Sequence, residues 1–157
     1  LCFFMLLNFS CFGSFFYFSA MLIRMELARI VITEMNSQQA LILREVNGNR
    51  ELPIVIGIVE ATTIDRRVKR IESPRPLTHD LLCNTIEVLD GKIQDIFIHR
   101  FEDQTYFAAL RVIHGNELIE IDSRPSDAIA VAVSFDPFLP ILIQEEVLNQ
   151  AIAASME

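Results

Sequence analysis

Ile121-Asp122-Ser123-Arg124-Pro125-Ser126-Asp127-Ala128 is the stretch on which the reading of the fold turns. An alternating run, Glu117 to Asp122, leads into it, and an apolar run, Ala128 to Val133, leads out. Alternation marks a strand and a wider apolar spacing marks a helix, so the chain passes from one to the other here. Pro125 marks the point of change, because proline cannot donate to a strand ladder but suits the first turn of a helix. Backbone N–H groups at a helix start point outward and favour anions. An earlier stretch, Pro74-Arg75-Pro76-Leu77-Thr78-His79-Asp80, is built alike. It too has Arg-Pro, then a hydroxyl, then an Asp, then an apolar helical run.

Outward from these junctions the chain reads as three strands and two helices, then three strands and helices again. Met25 to Met35, Gln39 to Val46 and Glu51 to Ile58 have strand character, with turns at Asn36-Ser37-Gln38 and Asn47-Gly48-Asn49. The third run is nearly all apolar in its second half and is expected to be buried on both faces. Ala61, Ile64, Val68 and Ile71 then fall at helical spacing, with Glu60 in the first turn, where the helix dipole favours a carboxylate. A second helix carries Leu81, Leu82, Ile86 and Leu89 on one side, with Thr78 as its N-cap. Lys92 to Phe101, Tyr106 to Ile113 and Glu117 to Asp122 are the next strands. A short helix, a brief strand at Ile141-Leu142-Ile143 and a last helix, Glu145 to Ala154, complete the order. Gly48-Asn49-Arg50-Glu51-Leu52 and Gly115-Asn116-Glu117-Leu118 open the third strand of each half. The class is α+β, an antiparallel or mixed sheet with packed helices and a duplicated β-β-β-α unit.

At 157 residues the chain suits one domain with a substantial core. Its net charge of −8 argues against general electrostatic affinity for nucleic acid, so any such role rests on a local patch. No cysteine spacing suits zinc or a disulfide framework, which points to a reducing, cytoplasmic setting. Leu1 to Ile23 is unlike the rest: it has no charge and holds seven of the twelve Phe residues. It lacks a basic n-region, and Met21 and Met25 stand just before the first regular pattern. Residues 1–24 are therefore expected to lie outside the domain and 25–157 to form it. A membrane anchor or an export signal is the rival reading of that leader.

Leu52-Pro53-Ile54-Val55-Ile56-Gly57 with Glu60-Ala61, then Arg75 to Leu81, then Asp122 to Ala130 resemble the motifs of the bifunctional nuclease domain family, in that family's order. The resemblance covers roughly Glu26 to Leu148. It implies cleavage of both DNA and RNA and an α+β fold with an internal duplication. Two departures stand out: Val55 where the family commonly has Trp, and no Gly near Arg70, where the first helix ends. Neither touches a polar motif residue.

Glu60, His79, Asp80, Asp122 and Asp127 are the candidate carboxylates and imidazole for such chemistry. Phosphodiester hydrolysis needs an activated nucleophile and positive charge at the phosphate oxygens. Carboxylates holding Mg²⁺ or Mn²⁺ supply both, with Asp80, Asp127 and Asp122 as the expected ligands. His79 could move a proton near neutral pH, and Arg75 and Arg124 could clamp phosphate. Arg66, Arg67, Lys69, Arg70 and Arg75 form a concentrated basic run. Arg66, Arg70 and Arg75, with the hydroxyls of Thr78 and Ser126, are the expected substrate contacts. Each has a plainer meaning: Thr78, Asp80 and Asp127 as helix caps, the arginines as structural partners or a solvated face. Phe97, Phe101, Tyr106 and Phe107 are expected to serve as core and cross-strand pairs, and His99 and His114 to lie at the surface. Two functions follow. One is a metal-assisted nuclease with little sequence preference, acting on DNA and RNA. The other is a non-catalytic oligomeric module binding a protein or an anionic ligand. A homodimer is expected in either case, on the apolar excess in Phe135 to Ile143.

Overall fold

The computed structural model describes residues 21–33 and 39–155. Its strands are β1 (Leu22–Val31), β2 (Gln39–Glu45), β3 (Glu51–Ile56), β4 (Gly91–Glu102), β5 (Thr105–His114), β6 (Glu117–Ser123) and β7 (Ile141–Gln144). Its helices are α1 (Ile58–Val68), α2 (Thr78–Val88), α3 (Pro125–Ala132) and α4 (Glu145–Ala154). The strands form one seven-stranded mixed sheet in the order β3-β2-β1-β7-β4-β5-β6. Thus each half is an antiparallel meander followed by a helix, as the sequence pattern predicts. β7 lies between the halves, antiparallel to β1 and parallel to β4. The expected turn at residues 36–38 and the first 20 residues lie outside the described residues.

Four expectations about packing need correction. β1 begins at Leu22, ahead of Met25, because Leu22, Ile23 and Arg24 pair with Gln144, Ile143 and Leu142 of β7. Ile23 is buried, so the strand takes in residues whose lack of charge had assigned them to the leader. β3 is buried on one face only: Leu52 and Ile54 are in the core, and Val55, which alternates with them, is 63% exposed. α2 has no fully buried residue, and Leu81, Leu82 and Leu89 are exposed. The apolar run at 135–143 is not one outer apolar surface: Ile141 and Ile143 are core residues of the central β7, and Phe138 is exposed. Exposed apolar residues gather instead on α2 and on the edge strand β6, at Leu118, Ile119 and Ile121.

The core joins both halves. Leu41, Leu43, Leu52 and Ile64 of the first meet Ile96, Ile98, Ile129 and Val131 of the second in one buried cluster. α3 is its centre: all of its residues except Asp127 are buried. Burying such side chains contributes roughly 1.5–3 kcal/mol each, and this anchors the polar start of α3 from below. Of the four strand aromatics, Phe101 and Tyr106 pair across β4 and β5 with ring centroids 4.6 Å apart. His114 is exposed, whereas His99 is half-buried beside the Phe97 ring. Among the described residues no helix is long and apolar enough to cross a membrane.

Candidate active site at the two helix starts

Both Arg-Pro junctions start helices, and α3 packs against both α1 and α2. Pro125 is the first residue of α3, where its missing N–H costs nothing. Ser126 and Asp127 follow in the same turn. Ser126 is buried, and Asp127 points back to Arg124. The Arg124 Nε and Nη2 atoms donate to the two Asp127 carboxylate oxygens at 2.8 and 3.1 Å. Nη1 donates to Glu60 Oε1 at 3.1 Å. Glu60 occupies the first turn of α1, as expected, and a methyl group on Gly57 would meet its Oε2 atom. The carboxylates beside Arg124 raise its pKa, Asp127 by hydrogen bonding most of all. The guanidinium stays 66% exposed and has two further N–H groups for a ligand.

At the first junction the cap is Leu77 rather than Thr78. The Leu77 N–H donates to Asp80 Oδ2 at 2.8 Å, the carboxylate of the third helical residue reaching back to the N–H of the cap. Asp80 Oδ1 accepts from Arg67 Nη1 at 2.8 Å, and the same nitrogen donates to Ser134 Oγ at 2.7 Å. The Arg67 hydrogen bond, followed by the Leu77 N–H, holds the Asp80 carboxyl below its usual pKa against the opposing effect of burial. His79 joins the junctions: its Nε2 lies 3.6 Å from Asp127 Oδ1. That distance is beyond a hydrogen bond but within an ion pair once the ring is protonated.

The contacts therefore run Glu60–Arg124–Asp127–His79, and the next residue, Asp80, ties to Arg67. A cavity of about 520 Å³ opens at the Glu60 end, lined among others by Arg124, Ser126, Phe101, Tyr106 and Pro53. Burial pushes the Tyr106 phenol up to about 12, and its hydroxyl reaches the Pro53 carbonyl at 3.4 Å. A second cavity, of about 440 Å³, opens at the Asp80 end and contains Arg66, Arg67, Arg70 and Arg75.

The structure thus brings together Glu60, His79, Arg124 and Asp127, with Asp80 next in the chain. The expected metal ligands are not assembled. Among the described residues no three His, Cys, Asp or Glu side chains are grouped to hold a metal ion. Asp80 and Asp127 are each held by an arginine, and Asp122 is an exposed residue of β6 opposite Ala109. This donor set does not fit a Mg²⁺ or Mn²⁺ ion. Thr78 makes no contact in the cluster. Arg70 lies at the end of α1 and is bound to the loop beyond α3, at the Phe135 carbonyl and Asp136. Arg67 was not among the expected site residues. The helical phase marks it: it follows Ala61 and Ile64 at a spacing of three, on the buried side of α1.

A seven-stranded α+β domain with paired helix starts carrying His, Asp and Arg defines the class. The family model for the bifunctional nuclease domain matches residues 41–155, and the chain belongs to that family. Two uncharacterized proteins from two strains of Mycobacterium tuberculosis are each 38% identical over 122 residues, 78% of this chain and 71% of theirs.

Proposed function

We propose that the protein is a nuclease that cleaves phosphodiester bonds of DNA and RNA with little sequence preference, and that the cluster around His79 is its active site. The observation that carries this reading is the meeting of His79 and Asp127, 3.6 Å apart, with Arg124 bound to the same aspartate. His79 takes the proton of the attacking oxygen, that of water or, on RNA, of the ribose 2′-hydroxyl. Asp127 stabilises the imidazolium that results. As the new P–O bond forms and the ester bond breaks, the leaving oxygen takes a proton from the imidazolium. The outward N–H groups of Arg124 face the charge that builds on the phosphoryl oxygens. Arg66, Arg70 and Arg75 hold the nucleic-acid backbone, which makes binding salt-dependent. The described side chains do not fit a metal ion, so no step is drawn through one. The proposed setting is the cytoplasm, consistent with the free Cys83. The proposed assembly is a homodimer covering the exposed apolar residues of β6.

His79→Gln is the test. Cleavage of labelled single-stranded RNA and DNA should fall about 10²–10⁴-fold, the usual contribution of a proton-transferring group. A wild-type protein that cleaves neither, or a variant as active as wild type, would overturn the reading. A second reading has its own observation. Asp80 and Asp127 are both occupied by arginines, as in a structural staple. In that case the domain binds an anionic ligand or a protein without cleaving it, and a failed cleavage assay with retained nucleic-acid binding is its signature.

A further inference from the structure

Arg67 is wired unlike four other arginines of the molecule. Arg44, Arg50, Arg111 and Arg124 each turn the edge formed by Nε and Nη2 toward a carboxylate, those of Glu26, Glu45, Asp95 and Asp127. The parallel N–H groups of that edge match two oxygens of one oxyanion. Arg67 makes both of its hydrogen bonds, to Asp80 and Ser134, through Nη1. Its Nε and Nη2 are buried and have no partner. Buried donors are nearly always satisfied in folded proteins, so an orphaned charged edge marks a place where a partner binds.

The surroundings say which partner. Arg67 is 11% exposed and lines the 440 Å³ cavity together with Arg66, Arg70 and Arg75. Arg66 and Arg75 are exposed, and among the described residues neither makes an ion pair or hydrogen bond. Asp80 and Glu72 are the carboxylates of the cavity wall, and Asp80 is already bound to Arg67. Four guanidinium groups against two carboxylates make this wall basic in a chain of net charge −8.

We propose that this cavity is a phosphate-monoester site that takes the terminal phosphate of a nucleic-acid strand. A diester in mid-strand lies along a surface, where exposed arginines reach it. A recessed guanidinium is met only by a group that projects, and a terminal phosphate projects. Near neutral pH it also carries more charge than a diester. Neither orphaned nitrogen is exposed, so the proposed phosphate reaches them only as the groups around them move aside. The strand end as the source of the phosphate rests on the nuclease reading. The affinity for a phosphate monoester does not.

The test measures binding by the full chain carrying His79→Gln, so that the strand is not consumed. The probes are one fluorescent oligonucleotide with a 5′-phosphate, with a 3′-phosphate, or with hydroxyls at both ends. Inorganic phosphate is the competitor. One terminal phosphate should tighten binding about tenfold or more, the scale of a charge-assisted bidentate contact. Phosphate should remove that advantage. Arg67→Ala should abolish it as well, but this variant also deprives Asp80 of its partner. The double variant Arg66→Ala with Arg75→Ala alters exposed residues only and should reduce the advantage while the fold is kept. Equal binding of all three probes, with no competition by phosphate, overturns the inference and leaves the cleavage reading untouched. Competition by phosphate without preference for a phosphorylated end overturns the strand end as the ligand. A terminal-phosphate preference in a wild-type protein that cleaves nothing supports the cavity and sinks the nuclease.

Discussion

The two Arg-Pro junctions share their order of residues and differ in their wiring. At the second, Arg124 and Asp127 are three apart in the first turn of α3, and the guanidinium closes on the carboxylate of its own junction. At the first, Arg75 and Asp80 are five apart, and Asp80 turns to Arg67 of α1 and to the Leu77 N–H instead. Arg124 is the cap of α3, one turn ahead of Asp127, whereas Arg75 lies in the loop ahead of the Leu77 cap and outside the helical repeat. The second junction therefore closes an ion pair of its own, adds Glu60 of α1 to it, and holds an exposed arginine at a cavity rim. The first staples two helices together and, among the described residues, leaves Arg75 unpaired. The helices behind them reverse this order: α3 is almost wholly buried, while α2 has no fully buried residue. The exposed helix is held to the body by Cys83 and Ile86 against the core together with the Asp80–Arg67 ion pair, and the buried helix offers the charges at its start to a ligand.

That division can be broken at four points. The largest effect belongs to His79, which belongs to the first junction but faces the second. Its loss, in the form given above, should lower cleavage by orders of magnitude and leave the unfolding midpoint nearly unchanged. Arg124→Ala comes next. It should cost about 10²-fold in rate, the scale of one preorganised charge contact, and less than about 1 kcal/mol in stability, the range for exposed pairs. Single-turnover kinetics and urea unfolding measure the two, and a stability loss without a rate loss would make the second junction as structural as the first. Asp80→Asn should do the opposite. It weakens a cap and a charged contact, so stability should fall by about 1–2 kcal/mol, while cleavage per folded molecule is kept. Abolished cleavage with unchanged stability would move Asp80 into the chemistry.

The smallest effect is one of pH. Arg67 holds the Asp80 carboxyl below its usual range. A group with a lowered folded-state pKa contributes its stability above its unfolded value and loses it as the pH falls through the folded one. Wild type should therefore exceed Asp80→Asn in stability by a constant amount down to about pH 4, the ordinary aspartate range. The gap should narrow below that. Denaturant curves from neutral to acid pH read it directly, and a gap that narrows already near neutrality would assign the effect to another group.

The regular elements are legible in the sequence because alternation and helical spacing are local signals. The two junctions are legible for the same reason, since proline and an aspartate two residues or more beyond it announce a helix start. What is long-range is not. Counting Val68 and Ile71 as core hides Arg67, because all three fall near one face of α1; in the structure Val68 and Ile71 are exposed. The cap falls on Leu77 rather than Thr78 where the Asp80 carboxylate reaches back to the Leu77 N–H, and a helix start at either residue fits the sequence. Leu22 and Ile23 look like leader because they are uncharged, and pairing with β7, some 120 residues on, draws them into the sheet. Arg70 is a subtler case. It has a φ of +54° where the resemblance leads one to expect glycine. The Ile71 and Arg70 N–H groups bond back to the Arg66 and Arg67 carbonyls, the arrangement that glycine usually ends. The arginine side chain compensates by reaching Asp136 and the face of Phe138.

β7 is only four residues long, yet it alone is hydrogen-bonded to both meanders. During synthesis, that makes the piece that closes the sheet later to leave the ribosome than either meander. All six strands of the meanders are made before Ile141. Until it emerges, the inner edges of β1 and β4 stand open, and open edges pair readily with other chains. Nascent domains wait in such states for seconds at about 5–20 residues per second. A chain that stalls or ends short of residue 141 is therefore not a smaller version of this protein but two adhesive half-sheets on one thread.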